Sequence, residues 1–112
     1  MVNYFLEVIS LEHCPYSIEV ENLIKQNNIN AQIIKVSPQN KHKYKNSQIQ
    51  TFPQIYLKND SSQGRILLGG NSDFKDILKL KGKSFELQKK ELKTKYKNLS
   101  NKMILRLIQL YI

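Results

Sequence analysis

Tyr4-Phe5-Leu6-Glu7-Val8-Ile9-Ser10-Leu11, then Cys14-Pro15-Tyr16-Ser17, then Ile18 to Gln26 is the succession that decides the fold. The first stretch is rich in aromatic and β-branched residues and has the length of a buried strand. The last carries apolar residues at 18, 20, 23 and 24, one face of a helix. Pro15 marks the join. It suits the first helical turn, where a missing N–H costs nothing and a fixed φ is already helical, so Cys14 falls at or next to the N-cap. A sulfur there faces the unpaired N–H groups of Tyr16 and Ser17 and the positive end of the helix dipole, and both favour thiolate over thiol. Cys14 is therefore expected to be a nucleophile near neutral pH. The alternative reading is a small cysteine packed as a hydrophobe, and a lone Cys before a Pro, taken alone, favours it.

Working outward, Asn27-Asn28 makes a turn and Ala31 to Val36 a second strand. A strand, helix, strand unit of this kind requires a parallel pair and a right-handed crossover. Ser37-Pro38 then breaks the run before a short polar helix near 40–48. Strands at 53–58 and 65–68, joined by the turn-rich Asn59 to Gly64, make an antiparallel hairpin, and a helix over 72–80 packs back on the sheet. The fold class is α/β: a four-stranded mixed sheet flanked by helices in three layers. Two loops stand out. Thr51-Phe52-Pro53 enters a strand through a proline, acceptable at the first strand residue, and a cis X-Pro bond is one way to make such a tight entry. Gly69-Gly70-Asn71-Ser72-Asp73 joins the hairpin to the next helix: its glycines allow close backbone approach, and Ser72 or Asp73 can cap that helix.

The CPYS at 14–17, the TFP at 51–53 and the GGNSD at 69–73, in this order and spacing, resemble the glutaredoxin family over roughly residues 3–80. The resemblance implies a thioredoxin-like fold, glutathione as co-substrate, and reduction of glutathione mixed disulfides. By position, Cys14 would be the nucleophile and Tyr16 a wall of the glutathione groove. Thr51, Phe52 and Pro53 would form the cis-proline loop, with the Phe52 backbone pairing with the cysteinyl part of glutathione. Asn71, Ser72 and Asp73 would hold the γ-glutamyl end. Elementary chemistry agrees, since a γ-glutamyl group brings one carboxylate and one ammonium, and a helix N-terminus with an adjacent aspartate offers a partner to each. A dithiol enzyme carries a second cysteine at the position of Ser17. The serine hydroxyl can donate to the sulfur but cannot form a disulfide, so Cys14 and Ser17 together imply a monothiol mechanism resolved by an outside thiol.

The chain departs from the family pattern at Leu11, where a lysine usually helps hold the thiolate and the glycine carboxylate of glutathione. Lys41, Lys43, Lys45 and His13 are candidate substitutes. Phe52, where valine is common, makes a bulkier groove wall.

At 112 residues and 40% apolar content the chain is expected to build one core. It contains no apolar run long enough to span a membrane and starts with polar residues lacking a cleavage site, so a soluble protein is expected. A single cysteine excludes an internal disulfide framework and fits a reducing, cytoplasmic compartment. Lys81-Gly82-Lys83 reads as a boundary between a glutaredoxin-like domain, 1–82, and a helical C-terminal extension, 83–112. The extension is basic in its first half and carries an apolar stripe through Leu92, Tyr96, Leu99, Met103 and Leu107 or Leu110. One extra C-terminal helix is expected there, folded back on the domain or paired with its copy in a homodimer; a sharper alternative docks it on an acidic partner or membrane surface. The net charge of +9 comes without zinc-ligand spacing, a ribonucleoprotein aromatic signature or a helix-turn-helix, so no specific nucleic acid is expected. The charge reads instead as an aid to solubility and to encounter with anionic glutathione. Partners implied are glutathione and glutathionylated or disulfide-containing proteins.

Two other functions compete. A glutathione-ligated [2Fe–2S] carrier dimer would use Cys14 of each protomer and two glutathione thiols, although the family associates that role with a CGFS motif, absent here, and Pro15 stiffens the loop. A non-catalytic adaptor would use the basic extension for assembly.

Overall fold

The computed structural model describes residues 2–112, and the strand β1 (Tyr4–Leu11) is paired along both of its edges. On one side it runs parallel to β2 (Ala31–Val36), with Val8 opposite Ile33. On the other it runs antiparallel to β3 (Gln54–Asn59), with Val8 opposite Ile55. β4 (Arg65–Gly69) pairs antiparallel with β3, giving the order β2-β1-β3-β4 and a mixed sheet. The parallel pair is possible because α1 (Pro15–Gln26) makes the crossover. The sheet, its helices and their order are those of a thioredoxin-like fold.

Side chains alternate across a strand, so each strand contributes to two cores. Leu6, Val8, Ile55, Leu57 and Leu68 face the helices, where Val20 and Ile24 of α1 and Phe74 and Ile77 of α2 (Asn71–Leu78) close over them. Ile9, Val36 and Tyr56 face the other way, with Leu11, Ile34, Tyr44, Phe52 and Leu67 packed against them. Among the described residues no α-helix packs on this second face. The polar helix expected near 40–48 is a 3₁₀ helix over Pro38–Tyr44 without a single buried residue, because Gln39 to Lys43 offer no apolar stripe to dock. A polar chain fastens the loop behind it instead. Asn46 Nδ2 donates to the Tyr56 hydroxyl (3.2 Å), that hydroxyl donates to Gln54 Oε1 (2.9 Å), and Gln54 Nε2 donates to the Tyr44 carbonyl (2.9 Å).

The same face holds Glu7, nearly fully buried in the central strand. Arg65 lies 2.8 Å and Lys58 3.3 Å from its two carboxylate oxygens, and the Arg65 guanidinium also stacks 3.9 Å from the centre of the Tyr56 ring. A buried carboxylate is tolerated only when paired in this way.

The C-terminal extension forms two helices, α3 (Phe85–Lys95) and α4 (Asn101–Tyr111), rather than one. Tyr96 leaves the helical region (φ −119°, ψ 92°), and Ser100 starts α4 by accepting the Met103 N–H at its hydroxyl (3.2 Å), a side-chain cap that suits a helix start better than a helix interior. The apolar stripe survives the break and is covered within the chain. Leu92, Leu99, Ile104, Leu107, Ile108 and Tyr111 join the same cluster as Leu6 and Val8. Tyr111 donates to Gln88 Oε1 (2.6 Å), and burial pushes its phenol up to about 12. Among the described residues no helix is long and apolar enough to cross a membrane.

Because Ile104 is fully buried while Ile112 is 66% exposed, Ile104→Ala is expected to cost about 2–5 kcal/mol of unfolding free energy and Ile112→Ala less than about 0.5 kcal/mol. Urea unfolding measures both; equal midpoints for the two variants would contradict the shared core.

Candidate functional site

The site begins where β1 ends. Glu12 donates its N–H to the Val36 carbonyl (2.9 Å), and His13 takes a left-handed conformation (φ 63°), turning the chain so that the Cys14 N–H reaches the Leu11 carbonyl (3.3 Å). Cys14 is then extended (φ −95°, ψ 116°) and is the N-cap of α1, Pro15 is the first helical residue, and the Ile18 N–H bonds the Cys14 carbonyl (3.0 Å). His13 is exposed, and what it supplies here is the turn. Ser17 lies at the third helical position, fully buried, and its hydroxyl oxygen accepts the Leu11 N–H (3.1 Å). It thus ties the strand end to the first turn of the helix.

Cys14 is partly exposed, and its sulfur lies 4.0 Å from the Phe52 carbonyl oxygen. The Phe52–Pro53 bond is cis. The Phe52 ring packs on the Ile9–Val36–Tyr56 cluster while the residue also lines an open cleft of about 540 Å³. Tyr16, 64% exposed, lines the same cleft, as do Thr51, Gly69, Gly70, Asn71, Ser72 and Asp73. The structure therefore gathers the three separate motifs of the sequence into one place. Leu11, which stands at the lysine position, packs into the second core. Lys41, Lys43 and Lys45 are exposed and do not line the cleft; Gln48 and Ile49 do, from a loop whose composition carries no signal for it.

The diglycine corner is built around a missing side chain. Gly69 has φ +126°, and a Cβ on it would fall 2.1 Å from Asp73 Oδ2. The space is filled by the Asp73 carboxylate, which accepts the Gly70 N–H (3.0 Å) at the start of α2. Asn71 reaches the other way: its amide donates to the Tyr16 carbonyl (3.0 Å) and to Glu19 (2.8 Å), bracing α2 against α1. Asn71 and Lys75 hold the exposed Glu19 carboxyl below the usual range. With the amide so engaged, the groups that the corner can still present to a ligand are the first-turn N–H groups of α2, which lack helical partners, and the Asp73 carboxylate.

The corner is also touched by the extension, a contact that no local pattern announces. Tyr96 donates its hydroxyl to the Leu68 carbonyl (2.6 Å), and Lys95 lies 2.8 Å from Asp73 Oδ1 and 3.9 Å from Asp76 Oδ2. Partial burial would raise the Asp73 carboxyl, but the Lys95 ammonium and the Gly70 N–H outweigh it and hold the group below its usual range. Burial, then the charges of Asp73 and Asp76, keep the Tyr96 phenol far above its ordinary value.

Residues 6–61 match the glutaredoxin family, taking in Cys14, Tyr16, Ser17 and the Thr51–Pro53 loop. The chain belongs to that family. The diglycine corner lies past the matched residues and completes the cleft that they begin. Glutaredoxins are thiol–disulfide oxidoreductases that use glutathione as a substrate. Cys14 stands at the N-cap position of α1, where its sulfur makes no cap hydrogen bond to the first-turn N–H groups, and it adjoins the cleft through Phe52 rather than lining it. No curated protein and no solved structure matches the chain. Among the described residues no group of three or more His, Cys, Asp and Glu side chains could hold a metal ion.

Gly69→Ala is expected to cost about 2–4 kcal/mol, from the left-handed backbone and the collision with Asp73 together; a thermal melt that matches wild type would refute the tight corner. Asp73 supplies a pH test. A carboxyl held low in the native state adds stability that is present above its unfolded value, about 3.9, and lost as pH falls through the native one. The difference in unfolding free energy between wild type and Asp73→Asn should hold steady above about pH 5 and shrink below about pH 4, as read by denaturant titrations at stepped pH.

Proposed function

We infer that the chain is a glutathione-dependent, monothiol oxidoreductase that reduces glutathione mixed disulfides through Cys14. The observation that carries this reading is one cleft lined both by Phe52, whose carbonyl lies 4.0 Å from the Cys14 sulfur, and by Asp73, whose carboxylate stands at the start of α2. A γ-glutamyl group needs an anion partner and a cation partner at one end of an extended tripeptide, and a thiol partner at the middle.

In the first step the Cys14 thiolate attacks the glutathionyl sulfur of the mixed disulfide. The S–S bond breaks, the protein substrate leaves as a thiolate and takes a proton from water, and Cys14 is left disulfide-bonded to glutathione. The chain has no second cysteine, so a glutathione thiolate from solution attacks that bond, glutathione disulfide departs, and Cys14 is again a thiolate. In this scheme Tyr16 and Thr51 wall the groove, and the Phe52 backbone, at its cis bond to Pro53, meets the cysteinyl unit. The first-turn N–H groups of Asn71 and Ser72 receive the γ-glutamyl carboxylate, and Asp73 its ammonium. Ser17 acts on Cys14 through position, by holding the first turn of α1 against Leu11. Such a cycle requires a compartment that keeps glutathione reduced.

A [2Fe–2S] cluster held by Cys14 of two protomers and two glutathione thiols would need a dimer built around the site. For the adaptor reading, the apolar stripe of the extension is covered, and Phe85, Leu87 and Leu105 are the apolar side chains that α3 and α4 leave exposed.

Reduction of a glutathionylated peptide, followed by coupled glutathione disulfide formation, should vanish in Cys14→Ser; a variant as active as wild type would remove the mechanism. Ser17→Ala should keep most of the activity of the folded protein while losing about 1–3 kcal/mol of stability, because the Leu11 N–H is left buried without an acceptor. A large drop in turnover with unchanged stability would instead assign Ser17 to the chemistry.

A further inference from the structure

The glutathione reading leaves one contact unexplained. Asp73 is the only carboxylate lining the cleft, yet a cation of the chain already holds it: Lys95 Nζ is 2.8 Å from Oδ1. Lys95 does not stand in the cleft. It lines the adjoining groove between α2 and α3, with Asp76, Leu80 and Glu91, so it approaches Asp73 from behind and leaves the cleft open. Its position is fixed from several directions. It ends α3, and the next residue, Tyr96, is anchored to the Leu68 carbonyl immediately before the two glycines (2.6 Å). Its ammonium lies 5.7 Å from the centre of the Tyr96 ring, and Asp76 shares its charge at 3.9 Å. Of the other charged groups nearby, Lys79 is bound to Asp76 (3.5 Å) and Lys75 to Glu19 (3.2 Å), so Lys95 alone meets Asp73.

A ligand ammonium arriving at Asp73 from the cleft would bring a second positive charge to a carboxylate already neutralised by the first, with the other oxygen committed to the Gly70 N–H. At such separations two like charges repel even in water, and more strongly in a partly buried site. We propose that Lys95, by neutralising Asp73 from the side of the extension, sets the ligand specificity of the cleft: it cancels most of the selection for an α-ammonium on the bound thiol peptide, so that thiols with and without that group are accepted almost alike. Lys95 acts through Asp73 and touches no reacting atom; it is a positioning residue supplied by the extension to the cleft. The inference rests on the glutathione reading given above.

The test compares two mixed disulfides of one reporter peptide, the first with glutathione and the second with glutaryl-cysteinyl-glycine, which lacks only the α-ammonium. In wild type the ratio of kcat/KM, glutathione over analogue, is expected within about twofold, and in Lys95→Met it should rise by about fivefold, mainly through KM for the glutathione disulfide. Lys95→Arg, which keeps the charge, should retain the wild-type ratio. A ratio that Lys95→Met leaves unmoved while both disulfides are turned over would overturn this assignment alone. Failure of wild type to reduce either disulfide would overturn the glutathione reading and the assignment with it.

Discussion

The carboxylate of Asp73 occupies the volume that a side chain at position 69 would need, and much of the molecule is arranged around that substitution of one group for another. With Gly69 in the left-handed region and no Cβ in the way, the fourth strand can stop, the chain can reverse, and α2 can start with an acid folded back over the N–H of Gly70, the residue before it. Any larger residue at 69 would push the acid outward and with it the first turn of the helix. The corner therefore couples a backbone requirement, that of the strand-to-helix reversal, to the placement of the one negative charge in the cleft. The extension adds its own hold through Tyr96 and Lys95, which grip the residues on either side of the two glycines.

The two faces of the sheet are covered unequally, and the inequality shapes the site. Four helices seal one face into a continuous apolar core. The other is closed by a 3₁₀ turn, a loop and a chain of side-chain hydrogen bonds from Asn46 through Tyr56 and Gln54 to Tyr44, with the Glu7–Arg65–Lys58 cluster toward the far end of the strands. Because that loop is fastened by polar contacts rather than buried, Gln48 and Ile49 can form a rim of the cleft. Phe52 spans both environments, its ring in the second core and its carbonyl beside Cys14, so the sulfur is positioned against a backbone that packing holds still.

Much of this was legible in the residues. The strand boundaries follow from alternation and the turn residues, and α1 follows from Pro15 and the spacing of its apolar positions, because those signals are local and agree with the tertiary structure. The three motifs identify the residues that meet at the cleft. What could not be read is what depends on distant contacts or on a competing cap. A continuous stripe from Leu92 to Leu110 reads as one helix, since periodicity does not register that the Ser100 hydroxyl will satisfy the Met103 N–H and open a new helix there. The same limit applies to Leu11, whose neighbours in the second core favour an apolar side chain where the family pattern has a lysine. Nothing local to Lys95 connects it to Asp73, twenty-two positions earlier.

The pairing of α4 with the sheet has a consequence for how the chain comes to be folded. Leu6 and Val8 share one cluster with Ile104, Leu107 and Tyr111, which lie roughly a hundred residues further along the chain. Until those partners are in place, the face of β1 that carries Leu6 and Val8 keeps part of its apolar surface uncovered and open to wrong associations. The core of this domain is therefore closed by contacts of long sequence separation, the kind that slows folding.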